Sequence, residues 1–226
     1  MSHIKRLAAP ASWNLLRKEE KFIAVPLPGK HTLEHGMAAS SILKHVLHVA
    51  NTTTEVKRLL QKKQIIVDGK RIKTYKHSIG ILDVISLPDL GNYRLFIDKN
   101  KRLTPIKISD DESKTKPLKI INKKAHATDI YQLGLSDGRT ILTKEKKTCV
   151  GDTILIEIPS QKMITYIKLE KGTCIYLTDG KHVGDHGFVE HIEGNTITYK
   201  TTTGKITTTS RTYALALGKP ASITLP

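Results

Sequence analysis

The stretch QIIVDGKRIKTYK, residues 64–76, joins an apolar run to a burst of positive charge through an Asp-Gly pair. Ile65 and Val67 are β-branched, and Asp68-Gly69 suits the two-residue hairpin turn in which both central residues have positive φ. We therefore predict a β-hairpin that buries Ile65 and Val67 and projects the basic residues after the turn.

Two amphipathic helices are predicted before this hairpin. Apolar residues between Ile42 and Ala50 recur at spacings of one, three and four, which is typical of a helix with one buried face. In residues 52–63, Thr52 can cap a second helix, and Glu55, three residues later, can complete a capping box. The outer face of that helix should project its charges from the same end as the hairpin.

The basic residues of this region form a contiguous edge. Between residues 57 and 76 eight basic residues stand against one acid, Asp68. A solvated helix face usually interleaves both signs, so this edge favours binding to a phosphate backbone. The eight are Lys57, Arg58, Lys62, Lys63, Lys70, Arg71, Lys73 and Lys76.

The charge of the whole chain also points to a polyanionic partner. The 226 residues include 37 Lys and Arg against 21 Asp and Glu, a formal net charge of +16. Such an excess makes nucleic acid the leading partner. Membrane binding would need a basic amphipathic helix with a broad apolar face or a long apolar span, and the sequence has neither.

The cellular compartment follows from the N-terminal residues and the cysteines. The opening MSHIKRLAAPASW has no apolar core of signal-peptide length, so we expect a cytosolic protein. Cys149 and Cys174 lack the Cys-x-x-Cys spacing of zinc or redox sites. We expect both to be thiols and small apolar strand residues.

Residues 1–36 are interpreted as an arm. The segment PLPGKHTLEHG breaks the periodicity with prolines and glycine, and the preceding residues mix Trp13 with Arg17, Lys18 and Lys21. Such an arm is expected to order only on a partner surface.

After residue 91 the pattern is almost entirely β. Short apolar segments alternate with turn sequences up to residue 168, which favours a small barrel and leaves a sandwich open. The acidic stretch 109–116 is interpreted as a solvated connector. Four glycines between 172 and 187 allow positive φ and a close approach of another backbone. A threonine-rich run with a turn at Gly204 predicts edge strands of a second small barrel.

Enzymatic motifs are missing from the sequence. It has no phosphate-cradling Gly-x-x-x-x-Gly-Lys-Ser/Thr, no dinucleotide fingerprint, no His-Glu-x-x-His and no Gly-x-Ser-x-Gly. His182, His186 and His191 lack the cysteine pair or helical context of a metal site. We therefore expect no cofactor, no metal, no small-molecule substrate and no catalysis.

Five segments occur together in the order found in one protein family. They are HIKRLAAPASW (3–13), TTTEVKRLLQKKQIIVDGK (52–70), GILDVISL (80–87), VGDTILI (150–156) and GKHVGDHG (180–187). The chain resembles the S4e family of small-subunit ribosomal proteins, of archaeal and eukaryotic type, over essentially its whole length.

This resemblance implies an α+β fold that is mostly β. The implied segments are an rRNA-binding N-terminal arm (1–36), an RNA-binding module of the ribosomal S-four type (37–91), a central β domain (92–168) and a C-terminal SH3-like KOW barrel (169–226). The implied function is that of a structural constituent of the small ribosomal subunit on the cytoplasmic ribosome. It would bind and scaffold small-subunit rRNA beside neighbouring ribosomal proteins, during assembly and translation.

The RNA-binding residues follow from the basic edge and from the resemblance together. They are His3, Lys5, Arg6, Trp13, Arg17, Lys18, Thr54, Lys57, Arg58, Lys62, Lys63, Lys70, Arg71, Lys73, Lys76, Lys181, His182, Gly184 and Gly187.

Two other functions were weighed. An RNA-modifying enzyme of the pseudouridine synthase kind can carry the same RNA-binding module, but it needs a catalytic motif such as His-Arg-Leu-Asp, which this sequence lacks. A transcription elongation factor with a KOW barrel would leave the helix, the hairpin and the opening segment unexplained.

Overall fold

The structure is a computed structural model that describes residues 3–16, 18–62, 64–88, 90–127, 129–219 and 221–225. The chain divides after Lys114 into two compact units. Both units are built mainly from antiparallel strands, which confirms the mostly-β class. Within the described residues, no helix has both the length and the apolar character required to cross a membrane.

Within its described residues, the first unit contains nine strands, three short helices and a 3-10 turn at Arg6–Ala8. The strands are β1 (His3–Lys5), β2 (Phe22–Ala24), β3 (Gly36–Ala38), β4 (Ile66–Val67), β5 (Lys70–Arg71), β6 (Ser78–Gly80), β7 (Val84–Leu87), β8 (Gly91–Ile97) and β9 (Leu103–Ile108). The helices are α1 (Ala39–Ser41), which continues as a π-helical turn over Ile42–Val46, α2 (Thr53–Gln61) and α3 (Asp110–Ser113).

The main sheet of this unit has the strand order β5-β4-β7-β8-β9. Strands β1 and β2 form a separate pair, as do β3 and β6. The predicted boundary after residue 91 falls at the first residue of β8, and β8 pairs directly with β7, with Leu87 opposite Gly91. The hairpin β8–β9 therefore extends the same sheet.

The predicted hairpin is confirmed. Asp68 and Gly69 both have positive φ, 48° and 69°, and Val67 pairs with Lys70 across the turn. Ile65 and Val67 are 1% and 2% exposed. The turn thus separates a buried strand from a basic edge strand.

The predicted cap of the second helix is also confirmed. The Thr52 hydroxyl accepts a hydrogen bond from the Glu55 backbone N–H at 3.2 Å. The Glu55 carboxylate in turn accepts from the Asn51 N–H at 2.8 Å, and this bond leads the causes that lower the pKa of Glu55. The reciprocal bond reaches one residue before the cap. Together the two bonds satisfy backbone donors that the first turn leaves open.

The solvated connector predicted at 109–116 is wrong. Ser109 caps α3, and Glu112 on this helix holds Arg94, whose side chain is fully buried. Arg94 donates from Nη1 to Glu112 Oε1 at 2.6 Å and from Nη2 to the Glu112 carbonyl at 2.9 Å. A buried guanidinium needs such partners, and a hydropathy pattern gives no sign of which acid supplies them.

The N-terminal segment packs against its own unit. Trp13 is 3% exposed, and its indole N–H lies within hydrogen-bonding distance of the carbonyls of Leu33 and Gly36, at 3.1 and 3.0 Å. The Ser12 carbonyl accepts from the Leu103 N–H of β9 at 3.0 Å. The segment therefore does not need a partner surface to place Trp13, contrary to the expectation for a free arm.

An ion pair and a hydrogen bond fasten residues 30 and 31 beside the hairpin. Lys30 Nζ lies 2.8 Å from Asp68 Oδ2, and His31 Nε2 lies 2.9 Å from the buried Asp83 Oδ2. A Cβ on Gly80 would lie 2.4 Å from both the His31 ring and the His35 carbonyl. Glycine at position 80 is therefore what leaves room for His31 against β6.

Within its described residues, the second unit contains ten strands and a 3-10 turn at Arg211–Tyr213. The strands are β10 (Thr115–Ala127), β11 (Ile130–Leu135), β12 (Thr140–Thr143), β13 (Thr153–Glu157), β14 (Met163–Ile167), β15 (Cys174–Leu177), β16 (His186–Glu193), β17 (Thr196–Thr201), β18 (Ile206–Ser210) and β19 (Ala214–Gly218). They form two five-stranded sheets with orders β12-β11-β10-β13-β14 and β18-β17-β16-β15-β19.

The longest strand, β10, was not predicted. Its first residues pair with β13, and a register shift between Ile120 and Asn122 precedes most of its pairing with β11. One strand thus pairs antiparallel with two neighbours, β11 and β13. Leu118 and Ile120 contribute to a buried cluster with Leu133 and Ile154. The lysines spread along β10, at positions 116, 119, 123 and 124, hide this pattern in the sequence.

The threonine-rich run forms β17 and β18. Strand β18 is an edge strand, as predicted, whereas β17 lies between β16 and β18, so the prediction of an edge strand is wrong for β17. Gly204 has φ 84° in the turn between β17 and β18. Cys174 is a buried thiol in β15, as predicted. Cys149 is an exposed thiol before β13, so the prediction that it is an apolar strand residue is wrong.

The Arg94–Glu112 pair gives a stability prediction. Glu112→Ala should lower the free energy of unfolding of the first unit by about 2–4 kcal/mol, because it leaves a buried guanidinium without its carboxylate. Asp111→Ala is the matched control: its side chain is 95% exposed and pairs only at the surface with Lys114, so its loss should cost less than about 0.5 kcal/mol.

Urea unfolding followed by the fluorescence of Trp13, the single tryptophan of the chain, measures both variants in this unit. Equal unfolding midpoints for the two variants would contradict the structural role of the pair.

Burial, followed by the charge of Lys30, lowers the pKa of half-buried His77 from 6.5. The unfolded chain therefore takes up this proton first, and the stability from neutral His77 is present above about pH 6.5 and lost as the pH falls toward the lower folded-state pKa. Relative to the wild type, His77→Gln should flatten the loss of stability between about pH 7.5 and 5.5. The same fluorescence titration at each pH gives the comparison, and a wild-type slope in His77→Gln would refute the assignment.

Candidate nucleic-acid interface

Helix α2 carries opposite properties on its two faces. Val56 is fully buried, whereas Lys57, Arg58 and Lys62 are exposed. Thr54 in the first turn is exposed as well. The helix is therefore anchored on one side and free to contact a ligand with its cations on the other.

The hairpin adds cations at the edge of the main sheet. Lys70 and Arg71 make up the whole of β5, the terminal strand, and both side chains are exposed. Lys73 is exposed, and Lys76 is half-buried. These positions agree with the predicted separation of buried strand from basic strand.

Helix α2 and residues 71–76 line an open cleft of about 820 Å³, named here the α2 cleft. Its cations are Lys57, Arg71, Lys73 and Lys76. Its remaining lining comes from Leu27, Leu60, Gln61, Ile72, Thr74 and Tyr75. No acidic side chain is among these described lining residues, so the cleft favours an anionic ligand.

Tyr75 lies between two of these cations. Lys57 Nζ is 5.1 Å and Lys76 Nζ is 5.6 Å from the centroid of the Tyr75 ring. Sequence analysis missed both Tyr75 and the cleft. The signal was present in KTYK, an aromatic residue interleaved with lysines, a combination that serves both stacking and phosphate binding.

The N-terminal site residues do not all face solvent. His3, Lys5 and Lys18 are exposed. Arg6 is half-buried and donates from Nη2 to the Leu15 carbonyl, so part of its hydrogen-bonding capacity is used within the segment.

Trp13 is a correction to the predicted site. Its ring lies in the core and its N–H is directed to backbone carbonyls, so it cannot stack on a base in this conformation. Arg17 and Lys63, also predicted to bind RNA, lie outside the described residues.

The glycine-rich loop lies in the second unit. Lys181 is exposed, half-buried His182 is 4.0 Å from Asp185, and Gly184 has φ 79°. Gly187 is buried in β16, where a Cβ would stand 2.2 Å from the carbonyl oxygen of Lys200. The backbone that approaches Gly187 is thus the neighbouring strand, which corrects its assignment as a contact residue.

The part of the chain that the structure describes contains no group of three or more His, Cys, Asp or Glu side chains placed to hold a metal ion. Lys119, in the second unit, is a structural cation. Its ammonium donates to the carbonyls of Arg211, Thr212 and Ala214 at 2.6–2.9 Å. Burial, followed by the charge of Arg211, lowers the pKa of Lys119 to about 8, which leaves it mostly protonated at neutral pH.

Two family models match the chain. The model of the ribosomal family S4e matches residues 91–163, and that of the RS4NT domain matches residues 2–34. The two matches together cover the N-terminal segment and the strands from β8 to β13.

Relatives match over most of their length. Small ribosomal subunit protein eS4 of Sulfurisphaera tokodaii is 40% identical over 85% of this chain and 82% of its own. The protein of the same name from Methanocella arvoryzae is 34% identical over 96% of this chain and 94% of its own.

A solved structure is similar as well. The crystal structure of the 30S ribosomal protein S4e from Thermoplasma acidophilum superposes with a TM-score of 0.71 at 28% sequence identity, covering 81% of this chain and 95% of that one. Fold and sequence therefore point to the same group of proteins.

Proposed function

Because the chain belongs to the eS4 family of small ribosomal subunit proteins, we propose that its basic surface holds small-subunit rRNA in place within the ribosome. The protein is a structural constituent of the small subunit and not an enzyme. Its partners are rRNA and other ribosomal proteins. The observation that carries the RNA-binding assignment is the exposed cationic face shared by α2 and β5.

We propose four functional segments on this basis: an rRNA-binding segment 1–36, an RNA-binding module of the S-four type at 37–91, a central β segment at 92–168 and a KOW-type SH3-like barrel at 169–226. The central segment contains β8 and β9 of the first unit and continues past the division after Lys114. The helix α2 and the hairpin β4–β5 support the second assignment. The antiparallel sheet β18-β17-β16-β15-β19 and the positive φ of Gly184 support the last.

The mechanism is scaffolding. Helical RNA keeps its base edges in a deep, narrow groove, so a protein recognises it mainly through phosphates, 2′-hydroxyls and shape. Exposed lysines and arginines on a rigid helix and strand fix the register of the backbone. The exposed residues assigned this role are His3, Lys5, Lys18, Thr54, Lys57, Arg58, Lys62, Lys70, Arg71, Lys73 and Lys181.

The relatives do not support a pseudouridine synthase or a transcription elongation factor. They are small ribosomal subunit proteins, and this chain matches 82–94% of their length. The basic module therefore serves binding and positioning.

The salt dependence of RNA binding tests the hairpin. The triple variant Lys70→Ala, Arg71→Ala, Lys73→Ala should flatten the slope of log affinity against log salt by about 2, since each phosphate contact contributes roughly 0.7–0.9. The fold should persist because none of the three side chains is buried. Filter binding to small-subunit rRNA at several salt concentrations gives the slopes.

A matched triple variant, Lys144→Ala, Lys146→Ala, Lys147→Ala, removes the same charge from three exposed lysines of the second unit. If both triples change the slope equally, the effect is one of net charge and the hairpin assignment is wrong.

Incorporation into ribosomes tests the function as a whole. A tagged full-length chain should sediment with small subunits in a sucrose gradient at moderate salt. Recovery solely in the free-protein fractions would overturn the proposed function.

A further inference from the structure

The α2 cleft combines apolar and cationic linings in a concave site. Leu60 is half-buried and Ile72 is buried, and both line the cleft together with Tyr75, which makes this part of the lining apolar. Its volume of about 820 Å³ lies within the roughly 300–1,000 Å³ range of clefts and cavities that bind small ligands. A basic face that bound only phosphates would need no such cavity.

Paired RNA cannot use this apolar lining. In a duplex the bases are stacked inside, and the surface offers phosphates and 2′-hydroxyls. An unpaired nucleotide, by contrast, offers a flat apolar face joined to a phosphate, which matches an aromatic ring flanked by ammonium groups.

The two lysines at Tyr75 fit this occupant. At a solvated site the contact of Lys57 or Lys76 with the ring is weaker than stacking of a base on that ring. Each ammonium also gains a charge-assisted hydrogen bond when it moves to a phosphate. A nucleotide that enters the cleft can therefore stack its base on the ring while its phosphates bind the two ammonium groups.

We propose that the α2 cleft receives one unpaired nucleotide of the bound RNA, with its base stacked on Tyr75 and its flanking phosphates held by Lys57 and Lys76. The inference rests on the proposed function, because it specifies which part of the RNA occupies that same basic surface. In this proposal, Tyr75 distinguishes RNA that has an unpaired base from fully paired RNA.

Binding to two RNA hairpins tests the proposal with the full-length chain. One hairpin has a fully paired stem, and the other has the same stem with a single bulged adenosine. Tyr75→Leu should weaken binding to the bulged hairpin about tenfold, the effect of losing one stacked base, and leave binding to the paired hairpin unchanged.

Two variants control the measurement. Tyr75→Phe keeps the ring and should retain the preference for the bulged hairpin. Tyr131→Leu removes another lysine-flanked tyrosine, 4.4 Å from Lys123 Nζ and outside the cleft, and should behave as wild type. Trp13 fluorescence during urea unfolding verifies that the Tyr75 variants keep the first unit folded.

The outcomes separate the two hypotheses. Equal binding of both hairpins, with no selective effect of Tyr75→Leu, overturns the nucleotide site but leaves the rRNA-binding function standing. If the wild-type protein shows no salt-dependent RNA binding at all, both the nucleotide site and the rRNA-binding function are overturned.

A cross-linking measurement on the wild-type protein tests the proposal without relying on the folding of any variant. The bulged base is replaced by 5-iodouracil and the complex is irradiated, since this base cross-links to an aromatic ring stacked on it. A cross-link to Tyr75, located by mass spectrometry, is expected. Cross-links that map only to residues outside the cleft would overturn the proposal.

Discussion

The first unit depends on one buried carboxylate. Asp68 occupies the first central position of the hairpin turn, and its carboxylate accepts a hydrogen bond from the Val84 N–H at 3.1 Å and pairs with Lys30 at 2.8 Å. The Asp68 N–H also donates to the Val84 carbonyl at 2.9 Å. A carboxylate in an apolar interior is costly without such partners. The requirement to satisfy it ties the turn, β7 and the N-terminal segment into one arrangement.

Because Asp68 fixes the turn, the residues on either side of it separate into buried core residues and exposed basic residues. Because the turn is fixed, β4 directs Val67 inward while β5 presents Lys70 and Arg71 to solvent. Helix α2 repeats the division, with Val56 buried and its cations outside. The buried side chains that pack the core are thus different from the exposed cations. The chain can therefore concentrate positive charge on one face without placing mutually repelling charges in the core.

Local chemistry was predictable from the sequence, and long-range pairing was not. The Asp-Gly turn and the Thr52 cap depend on residues within four positions of one another, so both could be predicted. The partner of Arg94 lies 18 residues away on a helix too short to show periodicity, and Trp13 is buried against residues 20 or more positions later. The α2 cleft was missed for the same reason, since Leu27 and Tyr75 meet only in the folded chain.

The brevity of β5 has a consequence for the protein before it reaches its RNA. A sheet edge is a template on which a second chain can add a strand, and the β5 edge of the main sheet is only two residues long, with a cation on each, whereas β9 at the opposite edge is six residues long. The β5 edge offers few backbone groups for pairing, and its like charges repel another copy. At the β5 edge, the residues proposed to bind RNA therefore also disfavour pairing with another copy of the chain while no RNA neutralises their charge.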